Sequence, residues 1–368
     1  MKVMYSVLDW GLGHATRSIP IIQELINQGA EVYLAGSGAP IALLKKEFPD
    51  LQTINLPAYG VQYSKSKWTL GFVIAKQIPQ LIKTLKLERQ LTEKAVKQFG
   101  IDRLISDGRF GARSDYAPSV YVCHQIRPMM PLALVESLFY AWHKKLMNKF
   151  SQVWIPDFQE DSTPNSPSLA FRLSNPKNPP LNQKFIGVLS RFKKQDIKPQ
   201  FSTSSLPEVV DWVFSCSGPE PQRTLLENQM RRLAPTSGKV LLIRGVPNTD
   251  SKETIEKEND NLWVANHLES SELEKWLQNA ECVLSRSGYT TLMDLACLEK
   301  KAFFVPTPGQ TEQEYLADKL ADLGLCNTCN QSDLIKLQKL EMPKAALTIP
   351  AGQFGLLKQI VSAFLHSN

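Results

Sequence analysis

The stretch from residue 281 to residue 313 restricts the possible folds of this chain more than any other. A run over 281–285 with the apolar centre Cys282-Val283-Leu284 predicts a buried strand, which ends at Arg286-Ser287-Gly288, and helix-forming residues resume at Thr291. A chain that passes from a strand through a small-residue turn into a helix leaves unpaired N–H groups at the positive end of the helix dipole. Such a helix start binds phosphate groups. A second strand over 301–306 leads into another polar loop and helix, so the stretch predicts an open α/β sheet with a ligand site at its strand ends.

Strand, turn and helix patterns repeat along both halves of the 368-residue chain. A first apolar run over 2–8 leads into a glycine-rich loop and an amphipathic helix, and the pattern restarts at residue 211. Each series of alternating strands and helices predicts one doubly wound, Rossmann-like domain, and the length is sufficient for two. We therefore expect an N-terminal domain over residues 1–190 and a C-terminal domain over 208–350, joined by a linker over 193–207.

Lysine and arginine are concentrated in the first half of the chain. Residues 1–198 contain 26 Lys and Arg against 15 Asp and Glu, whereas residues 199–368 contain 16 against 21. A basic half indicates an anionic partner, which can be a membrane surface, a phosphorylated substrate or nucleic acid. The basic residues alternate with aromatic and apolar ones over 65–97 and 131–149, which favours peripheral contact with an anionic membrane, although a solvated helix face has the same pattern. No nucleic-acid-binding motif frames them, so we expect no nucleic-acid partner.

The composition predicts a soluble protein with reduced cysteines. The first apolar run is short and ends at Asp9, unlike a secretory signal, and no run is long enough to span a membrane. Six cysteines in such a chain are expected to be thiols, and the pair Cys326 and Cys329, without a second pair or nearby histidines, does not predict a metal site. We therefore expect a cytoplasmic protein that contacts the inner face of the membrane peripherally and binds no metal.

Five segments that follow predicted strands carry motifs in a recognisable order. They are Gly11-Leu-Gly13-His14-Ala-Thr-Arg17, His124-Gln125, Phe214-Ser-Cys-Ser-Gly218, Ser285-Arg-Ser-Gly-Tyr-Thr-Thr-Leu-Met-Asp294, and Val305-Pro306 followed by Gln313-Glu-Tyr-Leu-Ala317. Together they resemble the motifs of glycosyltransferase family 28, the MurG-like glycosyltransferases. The resemblance implies the GT-B fold, an α/β fold in which two Rossmann-like, doubly wound domains face each other across a cleft. It also implies that the C-terminal helix, here 352–368, packs back on the N-terminal domain.

The resemblance implies an inverting glycosyltransferase that moves a hexose or N-acetylhexosamine from a UDP-sugar to an acceptor hydroxyl. The N-terminal domain would bind the acceptor, for which a lipid-linked molecule and a glycan are both candidates, and the C-terminal domain would bind the nucleotide sugar. Such a reaction needs a base for the acceptor hydroxyl and stabilisation of the leaving diphosphate. The sequence contains no Asp-x-Asp pair to hold a metal on the diphosphate. We therefore expect metal-independent transfer with no cofactor, the UDP-sugar being a co-substrate.

Three polar residues at predicted strand ends are candidates for the catalytic chemistry: His14, Asp107 and His124. His14 is the expected base, since the ordinary pKa of histidine suits proton transfer near neutral pH. Asp107 orients His14 or acts as the base itself, unless it only caps the turn before Gly108. His124 is expected to contact the acceptor or the diphosphate, the alternative being a structural histidine.

The donor-binding residues are expected at strand ends of the C-terminal domain, with one in the first glycine loop. They are Gly13, Ser217, Gly218, Arg244, Leu268, Arg286, Ser287, Gly288, Asp294, Gln313 and Glu314. Backbone N–H groups of Ser217-Gly218 and Ser287-Gly288 would bind the diphosphate. Arg244 and Arg286 would neutralise its charge, unless Arg244 forms a surface ion pair and Arg286 braces its own loop.

Four of these residues take their expected roles from the resemblance alone. Asp294 stands where the family has Glu and would bind the ribose hydroxyls, and the backbone around Leu268 would read the uracil ring. Gln313 would contact the hydroxyls of the donor sugar, and Glu314 replaces a second glutamine of the family pattern. The two replacements leave N-acetylglucosamine, glucose and galactose types open as the donor sugar.

Two other functions are compatible with the same fold. A UDP-N-acetylglucosamine 2-epimerase would require further acid and base carboxylates in the cleft, and the motifs resemble that class less. A non-catalytic nucleotide-sugar-binding partner of a membrane subunit is the third candidate, which the presence of both domains in one chain disfavours.

Overall fold

The structure, a computed structural model, describes residues 1–60, 70–130, 132–160, 168–192, 209–218, 220–246, 254–349 and 355–367, with only the backbone described for 70–76 and 78. The chain divides into two compact units. Unit 1 contains Met1–Arg191 with Pro350–Asn368, and unit 2 contains Phe192–Ile349. Each unit is built on one seven-stranded sheet, which confirms the predicted α/β class with two Rossmann-like domains.

Buried, mostly apolar runs form the central strands of both sheets. The strands of unit 1 are β1 (Lys2–Val7), β2 (Glu31–Gly36), β3 (Gln52–Asn55), β4 (Arg103–Asp107), β5 (Ser119–Val122), β6 (Gln152–Ile155) and β7 (Gln183–Phe185). Those of unit 2 are β8 (Val210–Ser215), β9 (Val240–Ile243), β10 (Ile255–Lys257), β11 (Leu262–Ala265), β12 (Ala280–Ser285), β13 (Lys301–Phe304) and β14 (Asn327–Thr328). Neighbouring strands are parallel except for β10, which is antiparallel to β11. Parallel strands with both faces buried are near-continuous apolar runs, which made the central strands predictable.

Helices follow most of the strands. They are α1 (Leu12–Asn27), α2 (Gly38–Glu47), α3 (Leu70–Phe99), α4 (Ala133–Met147), α5 (Gln222–Leu233), α6 (Ser270–Asn279), α7 (Tyr289–Cys297), α8 (Thr311–Asp322), α9 (Gln331–Leu334) and α10 (Leu356–His366). In α1, the apolar residues Ile19, Ile22 and Leu25 recur at helical spacing and are buried. Gly29, with a φ of +79°, follows its end.

Each sheet has one point at which the strand order reverses. Unit 1 has the order β3-β2-β1-β4-β5-β6-β7, and unit 2 has the order β10-β11-β9-β8-β12-β13-β14. The reversal lies between β1 and β4 in unit 1 and between β8 and β12 in unit 2. Ligands of open α/β sheets bind outside the carboxyl ends of the strands at such a switch point. The loops after these four strands therefore mark the expected site in each unit.

The C-terminal helix α10 packs on unit 1, as predicted. Phe364 is buried and lies edge-on to Trp154 of β6, with 5.4 Å between the ring centroids. Arg103 Nε donates to the carbonyl of Phe364 at 3.3 Å, and Gln28 Nε2 donates to the carbonyl of Lys358 at 3.0 Å. Aromatic packing and these two hydrogen bonds hold the end of the chain against β4, β6 and the end of α1.

The structure differs from the sequence predictions mainly at the sheet edges. The last strand of unit 1, β7, is only three residues long, and the chain leaves the sheet at Gly187, which has a φ of +76°. β3, β10 and β14 were not predicted, since they are short and contain few apolar residues. The predicted linker over 193–207 lies outside the described residues.

Candidate active site

The amino end of α1 carries the first part of the candidate site. Gly11 precedes the helix with a φ of +76°, a conformation that side chains rarely adopt, and so allows β1 to turn directly into α1. Gly13 and His14 lie in the first turn, and Arg17 lies one turn later on the same face as His14. The side chains of His14 and Arg17 both contact Asp107, the last residue of β4. The loops at the switch point of unit 1 thus bring these residues together.

Arg17 and Asp107 form a buried ion pair. Asp107 is fully buried, and Arg17 is 3% exposed. Arg17 Nε donates to Asp107 Oδ2 at 2.8 Å, and Arg17 Nη2 donates to Oδ1. Ser18 Oγ lies 3.4 Å from Oδ2. A guanidinium that donates two N–H groups to one carboxylate fixes the geometry of both groups.

Two histidines flank this ion pair. His14 Nδ1 lies 3.0 Å from Asp107 Oδ1 and 2.8 Å from Arg17 Nη2. His124, which follows β5, has its Nδ1 3.0 Å from Arg17 Nη1. The three predicted catalytic candidates therefore form one cluster, in which Arg17 contacts each of the others. Arg17 was not among the predicted site residues, although its spacing from His14 indicates a shared helix face.

The charges of the cluster determine its protonation. Burial raises the pKa of Asp107, but the Arg17 guanidinium and His14 outweigh burial and hold that pKa well below its ordinary value. Burial and the charge of Arg17 lower the pKa of His14, with Asp107 acting in the opposite direction. Near pH 7 the cluster therefore contains an ionised Asp107 beside a neutral His14. A neutral histidine oriented by a carboxylate is the state that a general base requires.

Three loops converge at the switch point of unit 2. Ser287, after β12, donates its Oγ to the carbonyl of Gln313 at 2.7 Å. Gln313 Oε1 accepts the N–H of Thr307, in the loop after β13, at 2.8 Å. A Cβ on Gly218 would lie 4.0 Å from Thr307 Oγ1, so the exposed Ser217-Gly218 turn after β8 is next to the same loop. The structure brings together the two turns that were predicted to bind phosphate.

Two features of these loops suit an anionic ligand. α7 begins after Gly288 without a capping side chain, so the positive end of its dipole faces the loops. Thr307 is buried, and its Oγ1 has no hydrogen-bond partner within the described parts of the chain. A buried hydroxyl without a partner is costly, and a ligand oxygen in these loops would supply one. Thr307 was not among the predicted site residues, since nothing in the sequence distinguishes it from other loop threonines.

Arg286 braces the loops of unit 2 from inside. Its Nη1 donates to the carbonyls of Val305 and Pro306 at 2.9 and 3.0 Å. Its Nη2 donates to the carbonyl of Gln222 and to Gln331 Oε1 at 2.9 and 2.7 Å. The side chain is 2% exposed, and burial lowers the pKa of Arg286 to about 10. Arg286 was predicted either to neutralise the diphosphate or to brace its own loop. The structure favours the second role, because four of its hydrogen bonds are to the protein.

The remaining donor candidates lie on or near the same strand ends. Arg244, after β9, forms an ion pair of 2.7 Å with Glu227 of α5, which is the alternative considered for it. Asp294 in α7 and Leu268 before α6 are both buried. Glu314 lies in the first turn of α8. The contacts of these residues with a nucleotide sugar stay predictions.

Metal-binding clusters are not found in the described parts of the chain. No group of three or more His, Cys, Asp or Glu residues there could hold an ion. Cys326 and Cys329 are free thiols, and burial raises their pKa values to about 12 and about 11. Because the thiolate is the form that binds metals, these two residues are poor ligands at neutral pH.

Comparison with known proteins identifies the relatives of this chain. Residues 223–346 match the family described as the glycosyltransferase family 28 C-terminal domain. Over 101 residues the chain is 35% identical to the UDP-N-acetylglucosamine--N-acetylmuramyl-(pentapeptide) pyrophosphoryl-undecaprenol N-acetylglucosamine transferase of Sulfurihydrogenibium sp. (strain YO3AOP1), a match that spans 27% of either protein. It is 24% identical over 332 residues to an uncharacterized glycosyltransferase of Methanosarcina acetivorans, a match that spans 85% of this chain and 82% of the relative.

Solved structures show the same fold. MurG of Acinetobacter baumannii is similar to this chain with a TM-score of 0.52 and 15% identity, covering 100% of this chain and 96% of MurG. The fold and the family match define a glycosyltransferase of the GT-B fold. More narrowly, residues 223–346 match the C-terminal domain of glycosyltransferase family 28, and the chain is similar to MurG. The resemblance inferred from the five motifs is thereby confirmed.

Proposed function

We propose that the protein is an inverting, metal-independent glycosyltransferase that moves a hexose or N-acetylhexosamine from a UDP-sugar to an acceptor hydroxyl. The observation that carries the proposal is the contact of His14 with Asp107 at the switch point of unit 1, in a chain whose residues 223–346 match the family 28 C-terminal domain. The name of the relative that is 35% identical includes both UDP-N-acetylglucosamine and a pyrophosphoryl-undecaprenol group. That name supports a UDP-sugar donor and a lipid-linked acceptor.

In this mechanism His14 accepts the proton of the acceptor hydroxyl. In the tautomer with the proton on Nδ1, which the contact of 3.0 Å with Asp107 Oδ1 favours, the neutral ring presents an unprotonated Nε2. The acceptor oxygen forms a bond to the anomeric carbon while the bond from that carbon to the diphosphate breaks. The proton passes to His14, and UDP leaves with the bonding electrons. Attack from the face opposite the leaving group inverts the anomeric centre, and Asp107 stabilises the imidazolium that is formed.

The loops of unit 2 would stabilise the leaving UDP. The turns Ser217-Gly218 and Ser287-Gly288 can direct backbone N–H groups to the diphosphate, and the N-terminus of α7 adds its dipole. Thr307 would donate its otherwise unbonded hydroxyl to a phosphate oxygen. Donors that are fixed before the reaction stabilise developing charge without reorganisation, so they supply what a metal ion supplies in other enzymes.

An exposed apolar stripe on α4 supports contact with a membrane. Leu134 and Leu138, which are 73% and 67% exposed, lie one turn apart, and the exposed Trp142 follows one turn later. Lys145 is exposed on the next turn, whereas Glu136, the one acidic residue of α4, is buried and paired with Arg127. Apolar side chains beside cations favour an anionic lipid surface. The side chains predicted to extend this surface over 65–76 lie outside the described part of the structure. Among the described residues, no helix has both the length and the apolar character to cross a membrane.

Thermal-shift measurement with nucleotides tests the donor assignment. UDP and UDP-sugars are expected to raise the melting temperature, since a ligand that binds the folded state stabilises it. Ser217→Trp places a large ring on the exposed turn after β8 and is expected to abolish the shift. Lys239→Trp, which precedes β9 at the opposite end of the same sheet, is the matched control and should retain it. Stabilisation by purine nucleotides but not by UDP would refute the assignment.

A further inference from the structure

Arg17 is the centre of the unit 1 cluster, although the mechanism above uses only its neighbours. Its three guanidinium nitrogens contact three different side chains. Nε lies 2.8 Å from Asp107 Oδ2, Nη1 lies 3.0 Å from His124 Nδ1, and Nη2 lies 2.8 Å from His14 Nδ1. The Arg17 side chain is almost fully buried, whereas the two histidines are partly exposed.

The contact with Arg17 determines the tautomer of His124. A guanidinium has five N–H donors and no acceptor, and it stays protonated in proteins. Nδ1 of His124 must therefore accept from Arg17 Nη1. A neutral imidazole has one proton, which is then on Nε2. In this state Nε2 of His124 is a hydrogen-bond donor and cannot accept a proton.

His14 has different surroundings at the same ring nitrogen. Its Nδ1 faces Arg17 Nη2 at 2.8 Å but also faces the carboxylate of Asp107 at 3.0 Å. An ionised carboxylate only accepts, so it can hold a proton on Nδ1 of His14 and leave Nε2 unprotonated. His14 therefore has access to the tautomer that a base needs, whereas the guanidinium holds His124 in the other one.

We propose that Arg17 is a positioning residue that gives the two histidines different roles. It fixes His124 as an Nε2–H donor to a substrate oxygen, and it leaves His14, with Asp107, as the proton acceptor. The chemical meaning of the two roles rests on the proposed function. The tautomers themselves do not, because they can be measured in the protein without substrate.

The charges around the cluster give the proposal a second observable. The positive charge of Arg17 lowers the pKa of His14, and that of Asp107 acts against it. Tyr5 of β1, with a pKa raised chiefly by burial, and Cys123 after β5 also face the ion pair. Tyr5 is neutral near pH 7, so removal of the Arg17 charge is expected to raise the pKa of His14.

Long-range ¹H–¹⁵N correlation NMR on protein labelled with ¹⁵N-histidine tests the proposal. The chain contains five histidines, and single substitutions can assign them. At pH 7 His124 is expected as the Nε2–H tautomer. His143 is a control within the same spectrum, since its Nδ1 lies 3.1 Å from the carbonyl of Ile126 and must carry the proton. An Nδ1–H tautomer of His124 in the unsubstituted protein would overturn the proposal without any variant.

Arg17→Met and Arg17→Lys separate positioning from a merely structural role. In Arg17→Met the fixed tautomer of His124 is expected to give way to a mixture, and His14 should titrate at higher pH. Arg17→Lys keeps the charge, so the pKa of His14 should stay low while the fixed tautomer of His124 is lost. His143 should be unchanged in both. Unchanged signals of both His14 and His124 in either folded variant would overturn the proposal. If neither variant folds, the tautomer of His124 in the unsubstituted protein decides whether the proposal stands.

The tautomer of His124 tests the role of Arg17 separately from the proposed function. If UDP-sugars neither bind nor react but His124 has the Nε2–H tautomer, the proposed function fails and the role of Arg17 in fixing His124 stands. If UDP is released from UDP-sugars but His124 has the Nδ1–H tautomer, the proposed function stands and the role of Arg17 in fixing His124 fails.

Discussion

The ion pair between Arg17 and Asp107 predicts a large and non-additive loss of stability when either partner is removed. Both side chains are buried, and two nitrogens of the guanidinium donate to the carboxylate. Asp107→Asn leaves the charge of Arg17 buried without a counter-ion, which costs about 3–5 kcal/mol of unfolding free energy. For a unit of about 200 residues, this corresponds to a fall in melting temperature of roughly 6–20 °C.

The double variant distinguishes pairing from other effects of substitution. Arg17→Met alone should also be destabilising, because it removes the guanidinium that donates twice to the buried carboxylate. Arg17→Met with Asp107→Asn removes both charges, so its loss should be smaller than the sum of the single losses by about 0.5–3 kcal/mol. Melting followed by circular dichroism measures all three, with Asp260→Asn, in an exposed ion pair, as a control that should not shift. Additive losses, or an Asp107→Asn variant as stable as the unsubstituted protein, would refute the buried pair.

The lowered pKa of Asp107 also predicts a pH dependence. The folded state binds this proton less readily than the unfolded chain, in which the pKa of Asp is about 3.9. The stability that Asp107 contributes is therefore fully present above about pH 4 and is lost as the pH falls toward its lower folded-state value. Melting temperatures measured between pH 3 and pH 7 should fall more steeply at the acid end for the unsubstituted protein than for Asp107→Asn.

Three further predictions concern the two sites and the α4 stripe. His14→Gln should lower the rate of UDP release from the preferred UDP-sugar by about 10²–10⁴-fold without changing the affinity for UDP, and an unchanged rate would exclude His14 as the base. Ser287→Ala leaves the carbonyl of Gln313 without its bond of 2.7 Å and should destabilise unit 2 by about 1–3 kcal/mol, measured by calorimetry. Leu134→Glu with Leu138→Glu should reduce co-sedimentation with vesicles containing anionic lipid, whereas Leu323→Glu, at another exposed leucine, should not; equal binding by both would argue against the stripe.

The sequence predicted the two switch-point sites because their signals are local. A buried apolar strand followed by glycine and serine fixes where the strand ends, and the carboxyl ends of parallel strands share one edge. These two rules predict that His14 lies near Asp107 and that Ser217 lies near Ser287. The strands that are buried on both faces were the easiest to predict, because their sequences are unbroken apolar runs.

The features that were missed depend on long-range contacts. Arg17 lies 90 residues from Asp107 in the chain, and an arginine on an amphipathic helix ordinarily faces solvent. Thr307 is distinguished by its missing partner, which becomes apparent only when the surrounding loops are packed. The edge strands β3 and β14 are held by pairing with one neighbour, so they need no apolar pattern of their own.

The central claim is that the protein transfers a glycosyl group from a UDP-sugar. Proton NMR of UDP-sugars incubated with the protein in D₂O tests it most directly, with His14→Gln as the matched control. Without an acceptor, slow transfer to water is expected, so UDP should appear while the proton at C2 of the sugar is retained. Deuterium at C2 would indicate an epimerase, and an unchanged spectrum from a protein that UDP stabilises would indicate a non-catalytic binding protein. Either result would contradict the proposed function.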